Sequence, residues 1–179
     1  VKIASPFLLD IPGAGGLALP TATVGMVYGT IGVISLLLGG IAGGIVVSRG
    51  GLKKWILPMA LAINLPDLLY VYMASVLPQN IWVIIASVAM EQLGYGFGFT
   101  AFMLFLIYVA DGEHKTSHYA IGTGFMALGM MLPGMAAGAI QEAMGYEKFF
   151  WFVSLCTLPG IFASWLVHKK LPADYGKKK

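Results

Sequence analysis

Apolar residues run through this chain in blocks too long for strands and too continuous for the one-sided helices of a water-soluble domain. Five blocks reach the roughly 20 mostly apolar residues that a helix needs to cross a bilayer: 22–48, 55–77, 81–110, 119–140 and 149–167. Each predicts a transmembrane helix. Residues 1–9 are apolar but too short to span, and they lack the basic start and small-residue cleavage site of a signal peptide. They read as the last turns of a helix that begins earlier. Residues 10–21, which open DIPGAGG and are rich in Gly and Pro, predict a loop.

Composition narrows the class. Of 179 residues, 58% are apolar and 11% charged, and mean hydropathy is +0.82. A soluble domain carries about 25% charged residues, so this chain cannot cover a water-facing surface unless most of its apolar side chains face lipid. The predicted class is an all-α, polytopic helix bundle whose first partner is the lipid bilayer. The single cysteine, Cys156, allows neither an internal disulfide nor a Cys-based zinc site. With no extramembrane domain, neither a nucleic-acid partner nor an enzyme is expected, and no cofactor or metal is called for.

Charge placement gives the orientation. Arg49, Lys53 and Lys54 follow the first span, and Lys115 follows the third. Lys169, Lys170, Lys177, Lys178 and Lys179 follow the fifth, in the tail 168–179. These segments share one side and hold nine of the eleven basic residues, against Lys148 and Lys2 on the other. The positive-inside rule makes the nine-residue side cytoplasmic and leaves the 10–21 loop periplasmic. Trp55, Trp82, Trp151 and Trp165 all fall near predicted helix ends, where amphipathic rings prefer the interface. The Lys177–Lys179 tail is expected to lie on anionic headgroups.

Gly25, Gly29, Gly32, Leu36, Gly39 and Gly43 keep one face of the first span, so a second backbone can approach closely there. Gly94, Gly96 and Gly98 are read as loosening the third span, and Gly134 and Gly138 as a small pair in the fourth. Such faces suit either a static bundle or helices that rock past one another.

Two carboxylates fall inside spans, Asp67 and Glu91. Each is ten residues from an outer helix end, roughly 15 Å deep at 1.5 Å per residue. No Lys or Arg lies inside any span. A carboxyl group in low dielectric favours its protonated form, and an intramembrane acid is by default a candidate functional group. Ser87, Glu91, Tyr95 and Gly98 form one stripe, which would suit a water-filled path. Asp67 follows Pro66, whose ring removes a helix hydrogen bond, so that acid serves either the local defect or coupling. Asn64, Gln92, Tyr95, Tyr28, Thr30 and Thr123 are candidates for substrate hydrogen bonds, each with interhelical bonding as the alternative. His114 and His118 read as a solvated turn rather than a metal site.

One segment resembles a known signature. Gly44-Ile45-Val46-Val47-Ser48-Arg49-Gly50-Gly51-Leu52-Lys53-Lys54 is similar to the cytoplasmic loop of the major facilitator superfamily, roughly G-x-L-A-D-R-x-G-R-K. Gly51 and the basic residues Arg49, Lys53 and Lys54 match, and Ser48 takes the place of the usual acid. The order of spans resembles the C-terminal six-helix half of such a transporter, residues 1–9 ending helix 7 and the five spans forming helices 8 to 12. Two stretches, Glu91 to Phe102 and Tyr119 to Phe150, look like the muropeptide permeases of the AmpG type. The resemblance implies a proton-driven carrier of the inner membrane with its C-terminus in the cytoplasm. It would work by alternating access with the N-terminal six-helix half and import a small molecule or glycopeptide. It places Glu91 toward the central cavity and Asp67 toward the scaffold. The alternatives left open are an acyl-CoA carrier of the same superfamily and a structural or signalling membrane protein.

Overall fold

Five helices long and apolar enough to cross a membrane follow a short N-terminal one in a computed structural model, which describes residues 3–177. Lys2, Lys178 and Lys179, used in the charge reading, lie outside the described residues. The helices are α1 (Ala4–Leu9), α2 (Thr21–Gly50), α3 (Leu52–Val76), α4 (Ile81–Val109), α5 (Lys115–Met144) and α6 (Tyr146–Lys170). Among the described residues there is no strand.

Three helices depart from regularity. In α2 the turn Val27–Gly32 is π-helical, one residue wider than its flanks. In α3 the helix stops at Asn64 and restarts at Asp67, because Pro66 has no N–H to continue the ladder. In α6 it breaks at Thr157, just ahead of Pro159. Between α5 and α6 the chain turns in a single residue, Gly145, at φ 76°, a backbone shape that disfavours any side chain.

The glycines follow their sequence reading at Gly39 and Gly43, which meet a second backbone, and depart from it elsewhere. Gly25 and Gly29 of the α2 face meet nothing within 4 Å, and neither does Gly138 of the supposed α5 pair. Close contact is concentrated on α4. A Cβ on Gly96 would sit 2.1 Å from the Leu36 carbonyl oxygen of α2, and one on Gly94 2.1 Å from that of Ala62 on α3. Gly98 stacks on the Met59 carbonyl in the same way, while Gly39 and Gly43 of α2 answer against Leu93 and Phe97. The α4 glycines therefore alternate between two neighbours and pin α2 and α3 to one helix, rather than loosening it. Thr100 Oγ1 adds a bond to the Gly40 carbonyl, at 3.3 Å.

Two apolar clusters lie at opposite ends of the bundle. At the end carrying the 10–21 loop, Phe7, Leu8, Tyr70, Met73, Ile84, Val88 and Phe150 are buried together. That loop is more ordered than its composition suggests. It folds back on α1 through Leu17 N–H to the Phe7 carbonyl and Leu19 N–H to the Leu8 carbonyl. Tyr146 O–H donates to Asp10 Oδ2 at 2.5 Å. At the basic end, Val47, Leu52, Ile56, Met59, Ala101 and Leu171 form the second cluster.

The described part of the C-terminal tail packs into that second cluster, with Lys177 left exposed. Leu171 is buried, and the Tyr175 ring packs 4.7 Å from Tyr108. The Tyr175 carbonyl accepts from Leu52 N–H, at 2.8 Å, and caps the start of α3. Apolar contact outcompetes water for Leu171 and Tyr175, while Lys177 stays outside and pairs with Asp174, whose carboxyl it holds below the usual range. In contrast, α5 has no buried residue.

Candidate functional site

A buried polar contact joins α2, α3 and α4. Among the described residues, Ser35, Ser87 and Glu91 are polar and buried, and Glu91 is the carboxyl group of the three. The restart of α3 after Pro66 aims Tyr70 at α4, where it donates its hydroxyl hydrogen to Glu91 Oε2. The π-helical turn of α2 brings Tyr28 to the other side of Tyr70, with the two phenol oxygens 2.8 Å apart. Tyr28, Tyr70 and Glu91 thus form a hydrogen-bonded run across three helices. Val27, Ile84, Val88 and the Phe150 ring, 5.4 Å from that of Tyr70, belong to the cluster around it.

The predicted stripe does not open as one wet face. Ser87 is buried and gives its hydroxyl hydrogen to the Val83 carbonyl, and Gly98 is pressed against α3. Only Tyr95 of the four is exposed, stacked on Phe99 at 5.6 Å. Burial on the α3 side wins because α4 is held to α3 through Gly94 and Gly98, and Glu91 shares that side. Tyr70 was missed in sequence. Its only sequence signal was its place one turn after Asp67, on the same face.

The remaining candidates divide. Asp67 is half-buried, one turn before Tyr70 at the start of the second α3 segment. Gln92 packs its side chain over Gly32 of the π-helical turn. Thr30 is exposed on that turn. Thr123 spends its hydroxyl on the carbonyls of Tyr119 and Ala120, and Asn64 its amide on that of Ala60, so both serve their own helices. In the loop motif, Gly51 has φ 80° and a Cβ there would meet the Ala173 carbonyl at 2.9 Å, so the site favours glycine. Ser48 bonds to the Ile45 carbonyl, Arg49 and Lys54 are exposed, Lys53 is half-buried, and Gly44 faces open space. His114 and His118 are exposed. No group of three or more His, Cys, Asp or Glu comes together among the described residues.

Two apolar clefts lie elsewhere. One of about 450 Å³ opens between α3, α4, α5 and α6, and one of about 380 Å³ between α2 and α4. Tyr95 lines both, Asn64 the first, and Glu91 neither.

No protein-family model matches the chain. Among curated proteins, the anhydromuropeptide permease of Escherichia coli (strain K12) is 25% identical over 146 residues, 82% of this chain. AmpG 4 of Rickettsia felis is 24% identical over 169 residues, 94% of this chain, and AmpG 1 of Rickettsia bellii 23% over 167, or 93%. The matches cover 30%, 39% and 39% of those proteins, so the chain spans about a third of the relatives it matches. Their names are those of transporters and permeases, not of enzymes. With five helices long and apolar enough to cross a bilayer, the chain is a membrane-embedded protein similar over most of its length to the AmpG-type permeases, which bears out the family resemblance read from its sequence.

Proposed function

We propose that this chain is the C-terminal half of a proton-coupled carrier of the major facilitator type, and that Glu91 carries the coupled proton. The observation that supports it best is the run Tyr28–Tyr70–Glu91 at the depth where an ion must change sides. A carboxylate out of water needs a donor or a proton, and this site can supply either. Ionised, Glu91 accepts from Tyr70. Protonated, it donates to Tyr70, whose hydroxyl hydrogen turns to Tyr28 while that of Tyr28 turns away from the run, since a hydroxyl both gives and receives. The run then reports the proton on Glu91 to the widened turn of α2. Asp67, one turn from Tyr70, is a second acid through which a proton would reach or leave the run.

In this reading the carrier lies in the inner membrane with its basic side and C-terminus in the cytoplasm, and it works by alternating access against a second six-helix half. Its cargo is a muropeptide from the cell wall, by likeness to the permeases above. The polar contacts come from the exposed side of the α2 turn, at Tyr28 and Thr30, and from Gln92 beside it, not from the apolar clefts.

The test is uptake by the complete protein in proteoliposomes. Glu91→Gln should abolish uptake driven by a proton gradient while leaving exchange of labelled muropeptide across the membrane. Unchanged driven uptake would remove Glu91 from the mechanism. Residues 1–179 alone should not transport, since they carry half of the site.

A further inference from the structure

The cleft between α3, α4, α5 and α6 has no part in the proton run, and its lining is almost wholly apolar. Ile56, Phe102, Met126, Met130, Ala163 and Val167 are part of its wall. Two of its polar residues are committed elsewhere, Ser164 to the Gly160 carbonyl and Asn64 to that of Ala60. On α4 the lining runs from Tyr95 to Phe105. Ten residues of helix rise about 15 Å, half of a hydrocarbon core about 30 Å thick. The cleft is therefore about as tall as one leaflet is deep.

Its lower end meets the charged side of the bundle. Ile56 stands one turn above Lys53 on α3, and Val167 one turn above Lys170 on α6. The two helix ends are tied together by His168 Nδ1 and the Lys53 carbonyl oxygen, 2.7 Å apart. Lys169 Nζ sits 3.4 Å over the Trp165 ring, the arrangement of a residue pair at headgroup level. Lys54 lies alongside. Of the three acids on this side, Asp111 and Asp174 are matched to other lysines, Lys115 and Lys177, and Glu113 is exposed in the 111–118 segment.

We propose that this cleft is a binding site for one anionic phospholipid of the leaflet on the basic side, with an acyl chain between the helices and the phosphate among Lys53, Lys169 and Lys170. Apolar walls fit the alkyl chain, a height of one leaflet fits its length, and basic residues between spans suit an anionic headgroup. The site owes nothing to the transport reading and holds whether or not Glu91 carries a proton.

The experiment is native mass spectrometry of the intact protein in detergent, titrated in separate runs with dioleoyl phosphatidylglycerol, dioleoyl phosphatidylcholine, dibutyryl phosphatidylglycerol and glycerol 3-phosphate. One dioleoyl phosphatidylglycerol should be retained per chain, about tenfold in preference to the phosphatidylcholine, and the double change Lys169→Gln, Lys170→Gln should erase that preference. Ala163→Phe should cut retention of both dioleoyl lipids. Equal retention of the two dioleoyl lipids by the unaltered protein would overturn the proposal, as would Ala163→Phe with retention intact. Should Ala163→Phe fail to fold, the unaltered protein still decides. Dibutyryl phosphatidylglycerol or glycerol 3-phosphate held as well as the dioleoyl form would mean a phosphate site without a chain site, and would equally overturn it.

Discussion

Tyr70, on the far side of a helix break, gives its hydroxyl hydrogen to Glu91 on the neighbouring helix, and no part of its side chain reaches solvent. Removing that donor strips one partner from a buried carboxylate, which costs about 1–3 kcal/mol. Tyr70→Phe should therefore lower the thermal unfolding midpoint in detergent. Tyr28→Phe should lower it less, because Glu91 keeps Tyr70. Midpoints in the opposite order would show that Tyr28, and not Tyr70, holds the acid.

The α4 glycines should be far less tolerant than those on open faces. Gly96→Ala and Gly94→Ala each drive a methyl group into a neighbour's backbone carbonyl, which cannot rotate away. Overpacking of this kind costs about 1–3 kcal/mol or more. Gly29→Ala and Gly138→Ala add a methyl group where nothing lies within 4 Å and remove backbone freedom. They should be neutral or stabilising by up to about 1 kcal/mol. A thermal series of the four variants separates the two classes, and equal effects would mean that the helices do not approach as described.

Docking of the tail should fail at high pH. Burial raises the Tyr175 phenol above the ordinary tyrosine value, with the nearby Asp111 charge adding to it. The neutral phenol is the form that donates to the Leu104 carbonyl, at 3.3 Å. The docked state is thus fully favoured below a pH of about 10, and loses its advantage as pH climbs from there toward the raised folded value. Tyr175→Phe keeps the ring and loses the titration. Trypsin cleavage after Lys170 should accelerate above that pH in the unaltered protein and stay flat in the variant, relative to a control site in the 111–118 segment.

Orientation is checked by labelling. With Cys156→Ala as background, cysteines at Glu113 and at Gln79 should react with a membrane-impermeant maleimide from opposite sides, Gln79 from outside intact cells. Labelling of Glu113→Cys in intact cells would reverse the assigned topology.

The helix count was legible because hydrophobic length is a one-dimensional property. Blocks of about 20 apolar residues announce spans whatever they pack against, and Pro66 marked its own break. The acid at position 91 was legible for the same reason, since a charge in such a block stands out. Its direction was not. A helix written with apolar residues on every side carries no stripe to show which face meets protein, so the Ser87–Glu91–Tyr95–Gly98 line looked open when it is mostly covered. Tyr70 was illegible on the same ground, as one tyrosine among eight with no charge to mark it. The docking of the tail through Leu171 and Tyr175 was not legible, because its lysines alone were weighed.

Because α4 touches α2 through one set of glycines and α3 through another, its permitted alphabet is short. A substitution there must satisfy two backbones at once, while α5, with no buried residue, touches its neighbours through side chains, as Gly122 does at Leu106. In a saturation library scored for expression, intolerance should collect along α4 with a two-residue beat at 94, 96 and 98, and be weaker along α5.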